Sequence, residues 1–204
     1  MKASAIILCG GKDSRFGSNK GLAVVGGRRV IDRVLDEVGP LSSQTLIVTS
    51  MEKPDIPAPS DAEILFDEYH AKGPLGGIYT GLLSSKHAEA IVVGCDMPFV
   101  NRKLLAHMVE ISAGYDAVIP RLEGDMFEPL HAVYSRTCVP AMKERLEIGK
   151  LSLNKLIRDL NVRYVERDEY APFDPRMISF FNINYPEDLE RANELAREAD
   201  LTSP

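Results

Sequence analysis

The chain is poor in the residues that build several kinds of site. Its 204 residues include only three cysteines, Cys9, Cys95 and Cys138. No two stand in Cys-x-x-Cys spacing, which argues against a zinc site or a dithiol redox centre, and an odd number without a framework fits a reducing compartment. The histidines His70, His87 and His107 are scattered and form no ligand cluster. Positive charge is short: 24 Lys and Arg face 30 Asp and Glu, a formal net charge of −6. That balance argues against a nucleic-acid polymer as partner, because phosphate backbones select basic faces. It leaves a nucleotide open, since a few local cations are enough. Long apolar runs are missing too. The first apolar segment, Ala5 to Leu8, is too brief for a leader or a membrane span, so a soluble cytoplasmic protein with no membrane contact is expected. Repeats and low-complexity tracts are absent.

What remains is enough for a sizeable core, with 45% hydrophobic residues. Short apolar runs alternate with helical patterns, the signature of an α/β sheet protein. Strands are predicted at Ser4–Leu8, Thr45–Thr49, Glu63–Phe66, Ala90–Gly94, Ala117–Ile119, Leu130–Tyr134, Val162–Val165 and Ile178–Asn182. Several are rich in Val and Ile, as strands buried on both faces should be. Ile31, Val34, Leu35 and Val38 recur at helical spacing until Gly39-Pro40 stops them. Asn101 is placed to cap a helix carrying Leu104, Leu105 and Met108. Pro186-Glu187-Asp188-Leu189 reads as a helix start. One domain over residues 1–200 is expected, with 201–204 as a frayed tail.

The richest stretch runs from Leu8 to Gly21: Leu-Cys-Gly-Gly-Lys-Asp-Ser-Arg-Phe-Gly-Ser-Asn-Lys-Gly. It follows the first strand and combines bare backbone at Gly10 and Gly11 with Arg15 and Lys20. Glycine lets N–H groups approach phosphate oxygens with no Cβ in the way. Arginine adds a planar fork of donors and lysine a compact point charge, so the stretch suits a triphosphate. Neither the Walker spacing nor Gly-x-Gly-x-x-Gly is present. A surface turn with two solvated cations is the plain alternative.

Two carboxylates end predicted strands. Asp96 follows Val92-Val93-Gly94-Cys95 and precedes Met97-Pro98. Ligands of open parallel sheets collect at such strand ends, and a lone aspartate there suits Mg²⁺, which takes one or two carboxylates plus phosphate oxygens and water. Asp67 ends Ile64-Leu65-Phe66, and Gly73-Pro74-Leu75-Gly76-Gly77-Ile78 follows. These glycines are expected to let a ligand lie against the backbone, with a helix N-terminus beside it, or else to form a flexible connection. Asn182 and Asn184, on one side of a strand by alternation, have amides suited to a polar heterocycle or metal-bound water, or to capping the next helix. His131 reads as a histidine satisfied in the core, and Cys95 as a small buried residue.

Together these residues resemble the molybdenum cofactor guanylyltransferases of the wider nucleotidyltransferase superfamily. The likeness runs in order through Leu8-Cys9-Gly10-Gly11, Arg15, Gly17, Lys20-Gly21, Asp67, Gly73 to Ile78, Cys95-Asp96-Met97-Pro98, Pro129 to Tyr134 and Phe181 to Leu189. It implies a Rossmann-like three-layer α/β/α sandwich with a mostly parallel sheet. It implies transfer of GMP from GTP to the terminal phosphate of molybdopterin, with Lys20, Arg15 and Asp96 in the catalytic set. GTP would meet Leu8, Cys9, Gly10, Gly11, Lys20, Asp67 and Asp96; Asp96 would hold Mg²⁺; the pterin phosphate would lie toward Leu75, Gly76, Asn182 and Asn184. The implied partners are GTP, a molybdopterin-type acceptor, and a molybdoenzyme or its chaperone. Departures stand at Cys9, where alanine is usual, at Thr49-Ser50, where some members carry an asparagine, at Asn19, and at Gly149-Lys150-Leu151. A cytidylyltransferase, a nucleotidyltransferase acting on a sugar or alcohol phosphate, and a non-catalytic cofactor-binding homologue are the alternatives.

Overall fold

The computed structural model describes residues 3–10, 20–50, 56, 59–67, 69 and 72–202. The chain opens on β1 (Ala3–Leu8), then a small hairpin of β2 (Val24–Val25) and β3 (Arg28–Arg29), and helix α1 (Val30–Val38). Next come β4 (Ser42–Thr49), β5 (Ala62–Phe66), α2 (Pro74–Ser84), β6 (Glu89–Gly94), α3 (Arg102–Glu110) and β7 (Ala117–Pro120). The chain closes with β8 (His131–Ser135), α4 (Val139–Glu147), α5 (Leu153–Ile157), β9 (Val162–Val165), α6 (Arg167–Tyr170) and α7 (Pro186–Thr202).

Seven strands form one sheet in the order β5-β4-β1-β6-β8-β7-β9. β5, β4, β1 and β6 are mutually parallel. β8 is antiparallel to both neighbours, β6 and β7, and β9 is parallel to β7. Six strands therefore point one way and β8 alone runs against them. The sheet is covered on both faces: along β1 the alternating sets Ala3, Ala5, Ile7 and Ser4, Ile6 are all fully buried. This is the three-layer, mostly parallel arrangement that the alternating pattern implies.

Glycine sets how closely α2 lies on the sheet. A Cβ on Gly81 would stand 2.7 Å from Ile6, and one on Gly77 3.1 Å from Leu8. Asn101 caps α3 as expected, accepting the Leu104 N–H at 3.0 Å. The β2–β3 hairpin went unread in the sequence. Gly26 and Gly27 both take positive φ, 55° and 74°, which a two-residue turn of this hand requires. Asn193 of α7 clasps it, accepting from Gly26 N–H at 3.0 Å and donating to the Val24 carbonyl at 3.3 Å.

One expectation changes. Ile178–Asn182 is not a strand: Ile178–Phe180 forms a short 3₁₀ turn, followed by extended chain. The cause is Asp174, buried, whose carboxylate accepts from Ile178 N–H, Ser179 N–H and the Ser179 hydroxyl and curls the backbone around itself. The alternation argument for Asn182 and Asn184 lapses with the strand. The final helix spans Pro186–Thr202.

Candidate active site

The site is built where parallel strands end together. β1, β4, β5 and β6 share one direction, so Cys9-Gly10, Ser50, Asp67 and Cys95-Asp96 emerge along one edge. Backbone hydrogen bonds stitch that edge beyond the regular ladders. Cys9 N–H donates to Val48 O at 2.8 Å, Asp67 N–H to Thr49 O at 2.8 Å, and Cys95 N–H to Leu8 O at 3.1 Å. Asp96 O in turn accepts from Ile183 N–H at 2.9 Å. The entry of the glycine-rich stretch and the two strand-end carboxylates thus share one rim. Gly11 and Arg15 lie outside the described residues, as does the Lys20 side chain; Lys20 opens a 3₁₀ turn, Lys20–Leu22.

Asp96 is half-buried, and its placement depends on a glycine. A Cβ on Gly94 would fall 2.6 Å from Asp96 Oδ1, so the carboxylate folds back over a position that must be bare. Cys9 and Cys95 sit side by side beneath, both buried. The hydrogen bond to Cys95, burial, and the Cys95 and Asp96 charges hold the Cys9 thiol well above the usual thiol range. Near neutral pH it stays a protonated thiol.

The reversed strand brings in a residue that the sequence reading missed. Because β8 runs against its neighbours, its beginning lies where β6 ends: Val93 pairs with His131, and Gly94 N–H donates to Leu130 O at 3.1 Å. Glu128, just before that strand, therefore stands at the Asp96 rim. Its Oε1 accepts from Leu130 N–H at 3.1 Å and its Oε2 from the Asn182 amide at 3.4 Å. Burial pushes its carboxyl up to about 7, against both hydrogen bonds and with help from the Asp96 charge. The one available signal was a glutamate opening Glu128-Pro129-Leu130-His131, and it means little until the strand's direction is known. His131 is fully buried as expected. Its Nε2 accepts from Asn101 N–H at 3.3 Å, and burial pushes it down to about 4, partly offset by its own carbonyl and by Asp174.

Asn182 comes to the rim through the Ile183–Asp96 bond, while Asn184 is exposed and its N–H, with that of Tyr185, donates to Asp188 of α7. Asp67 is buried; its Oδ1 accepts from Tyr69 N–H at 2.9 Å and Thr80 Oγ1 at 3.1 Å. Gly76 and Gly77 after it pack closely. A Cβ on Gly76 would stand 2.8 Å from Tyr69 Cβ and 3.1 Å from Asp67 Oδ2, so this backbone is bare for the Asp67 turn and, at Gly77, for Leu8. Leu75 points into the core; what α2 offers a ligand is its first-turn backbone, after Gly73 at φ 66° and Pro74.

The MobA-like NTP transferase domain model matches residues 5–165. The chain belongs to that family. A probable molybdenum cofactor guanylyltransferase of Methanosarcina mazei is 38% identical, over 96% of this chain and 92% of that protein. The crystal structure of molybdopterin-guanine dinucleotide biosynthesis protein A from Archaeoglobus fulgidus superposes with a TM-score of 0.81 at 32% identity, covering 96% of this chain and 99% of that one. A 2-C-methyl-D-erythritol 4-phosphate cytidylyltransferase from Thermus thermophilus shares the fold, with a TM-score of 0.69 at 19% identity over 97% and 100% of the two chains. For this MobA-like chain the matched segment includes the rim ends of β1, β4, β5 and β6. Among the described residues of this MobA-like protein, no helix is long and apolar enough to cross a membrane, and no cluster of three or more His, Cys, Asp or Glu could hold a metal by itself.

Proposed function

We propose that this chain transfers GMP from GTP to the terminal phosphate of a molybdopterin-type acceptor. An acceptor phosphate oxygen forms a bond to the α-phosphorus, the α–β phosphoanhydride bond breaks, and pyrophosphate leaves with the electron pair. The acceptor is already an anion near neutral pH, so no strong base is required. The barrier is the approach of two anions, and positioned positive charge and fixed dipoles lower it.

The observation that carries the reading is the Cys95 N–H to Leu8 O bond. It ties the start of the glycine turn to the residue before Asp96, so one triphosphate reaches both. In this reading the backbone at Leu8, Cys9, Gly10 and Gly11 cradles phosphate, and Arg15 and Lys20 neutralise the triphosphate and the departing pyrophosphate. Asp67 reads the guanine edge with its carboxylate. The first turn of α2, at Leu75 and Gly76, faces the acceptor phosphate, with Asn182 and Asn184 beyond it.

The donor set fits magnesium. Asp96 supplies a hard oxygen, the adjoining Cys9 sulfur is kept protonated, and a single carboxylate leaves room for phosphate oxygens and water. Asp96 is the residue that would hold the ion, which when bound contributes charge neutralisation at the triphosphate. A cytoplasmic setting, and a molybdoenzyme or its chaperone as recipient of the product, complete the proposal.

The test is pyrophosphate release and dinucleotide formation with GTP, CTP and ATP against molybdopterin and against sugar and alcohol phosphates. Release confined to GTP with molybdopterin is expected. Equal or faster release with CTP makes the chain a cytidylyltransferase instead, and tight binding without turnover makes it a carrier.

A further inference from the structure

Among the described residues, Asn182 is engaged on one end only. Its amide nitrogen donates to Phe180 O at 3.1 Å and to Glu128 Oε2 at 3.4 Å. Both neighbours are oxygens, one of them a backbone carbonyl that can only accept, so the nitrogen must face them and the amide cannot be the other way round. With both N–H groups used, the side chain keeps its carbonyl oxygen for a ligand. Glu128 is itself pinned, since its other oxygen takes Leu130 N–H at 3.1 Å where β8 begins beside β6. The chain 180–184 that carries Asn182 is fastened to the site by Ile183 N–H on Asp96 O.

We propose that Glu128 is a positioning residue that fixes the Asn182 amide oxygen-outward, so this corner of the site takes a hydrogen-bond donor or a cation and not a phosphate oxygen. The proposal rests on the nucleotidyl-transfer reading and sharpens it. The acceptor phosphate is left to the first turn of α2, and Asn182 meets either an N–H of the acceptor's heterocycle or the metal.

Glu128→Gln separates the possibilities, because an amide at 128 can accept from Leu130 N–H or from Asn182 but must turn its own N–H₂ on the other. The Asn182 side chain is the partner free to rotate. A loss of roughly 10–100-fold in kcat/KM is expected, the range for residues that orient a ligand-binding group, with less than threefold in an Asn182→Ala background, since a residue acting through Asn182 has nothing left to orient. A raised KM for the acceptor identifies the heterocycle as the donor, and a raised magnesium requirement identifies the cation; either supports the proposal. The same factor lost in both backgrounds overturns it, as does a change under threefold in the wild-type background, or a fall in kcat with neither half-saturation altered. Side-chain amide NMR provides a readout without turnover: the Asn182 amide resonances should move in Glu128→Gln protein that is folded and melts cooperatively, and unmoved resonances also overturn the proposal. Should the parent make no dinucleotide at all, the transfer reading fails while the NMR result still decides the role of Glu128.

Discussion

The two halves of the sheet build their share of the site in opposite ways. In the half made of β5, β4, β1 and β6, every strand runs toward the rim, and each contributes the residues that follow its last apolar position: Cys9-Gly10, Ser50, Asp67 and Cys95-Asp96. In the half made of β8, β7 and β9, the strand next to β6 is reversed. There the rim receives what precedes a strand, Glu128, and what no strand carries, Asn182. The parallel half is a repeated solution, with backbone ends and carboxylates in register. The mixed half is held by side-chain hydrogen bonds to carbonyls and N–H groups.

The largest effect that would break this comparison lies in the parallel half. Asp96→Ala is expected to lower turnover by at least about 1,000-fold, the scale of removing a principal electrostatic contact in a closed site, with the melting temperature little changed because the side chain is half-buried at a rim. Pyrophosphate release and a thermal melt on the same preparation check both parts. Substantial magnesium-dependent activity in the folded variant would show that the strand-end carboxylate is not where the chemistry is organised.

A smaller effect is expected one step back along the same strand. Gly94→Ala places a methyl where Asp96 Oδ1 lies 2.6 Å away, so the carboxylate must swing aside while the backbone, in ordinary strand conformation, stays. A displacement of this size costs about 100-fold in rate where positioning matters. The expected signature is a fall in kcat together with a raised magnesium requirement, at nearly unchanged stability. Gly81→Ala is the contrast. Its methyl would strike Ile6 at 2.7 Å, a clash inside the core, so it should cost about 1–3 kcal/mol of stability while the folded fraction keeps its rate. If the two alanines behave alike, the division between site glycines and packing glycines is wrong.

The same contrast explains what could be read from the amino-acid sequence. Strands of the parallel half are apolar on both faces because helices cover both faces, so Val92-Val93 and Ile6-Ile7 announce themselves, and the polar residue after each is visible as a strand end. Asn101 capping α3 was legible because the cap and the first apolar turn are local in the chain. Glu128 was not, since its importance depends on the direction of β8, which depends on pairings with β6 and β7 far away in the chain. The apolar run at Ile178–Phe181 reads as a strand by composition. It is diverted by the three hydrogen bonds it gives to one buried carboxylate, Asp174, four and five residues earlier. The glycines of Gly73 to Gly77 read as ligand backbone or as a flexible connection; the close packing of Gly76 on Tyr69 and of Gly77 on Leu8 depends on partners distant in the chain and is not visible in the local pattern.

The smallest expected effect tests the mixed half by stability alone. Glu128 and His131 sit on either side of Leu130 and titrate in opposite senses. The Glu128 carboxyl, raised from its ordinary value of 4.5 to about 7, contributes stability that is complete below pH 4.5 and is lost as pH rises through about 7. The His131 imidazole, lowered from 6.5 to about 4, contributes stability that is complete above pH 6.5 and is lost as pH falls through about 4. Between pH 4.5 and 6.5 the two slopes oppose each other, so the parent should show a flat melting temperature there. Glu128→Gln removes one slope and leaves the other. Its stability should then climb with pH across that window, by up to about 1.4 kcal/mol per pH unit, which raises the melting temperature by roughly 3–6 °C per pH unit for a chain of this size. Measured in metal-free buffer, so that no ion bound at Asp96 intrudes, a pH profile parallel to the parent's would mean that Glu128 is not the buried, proton-holding group that the start of β8 makes it.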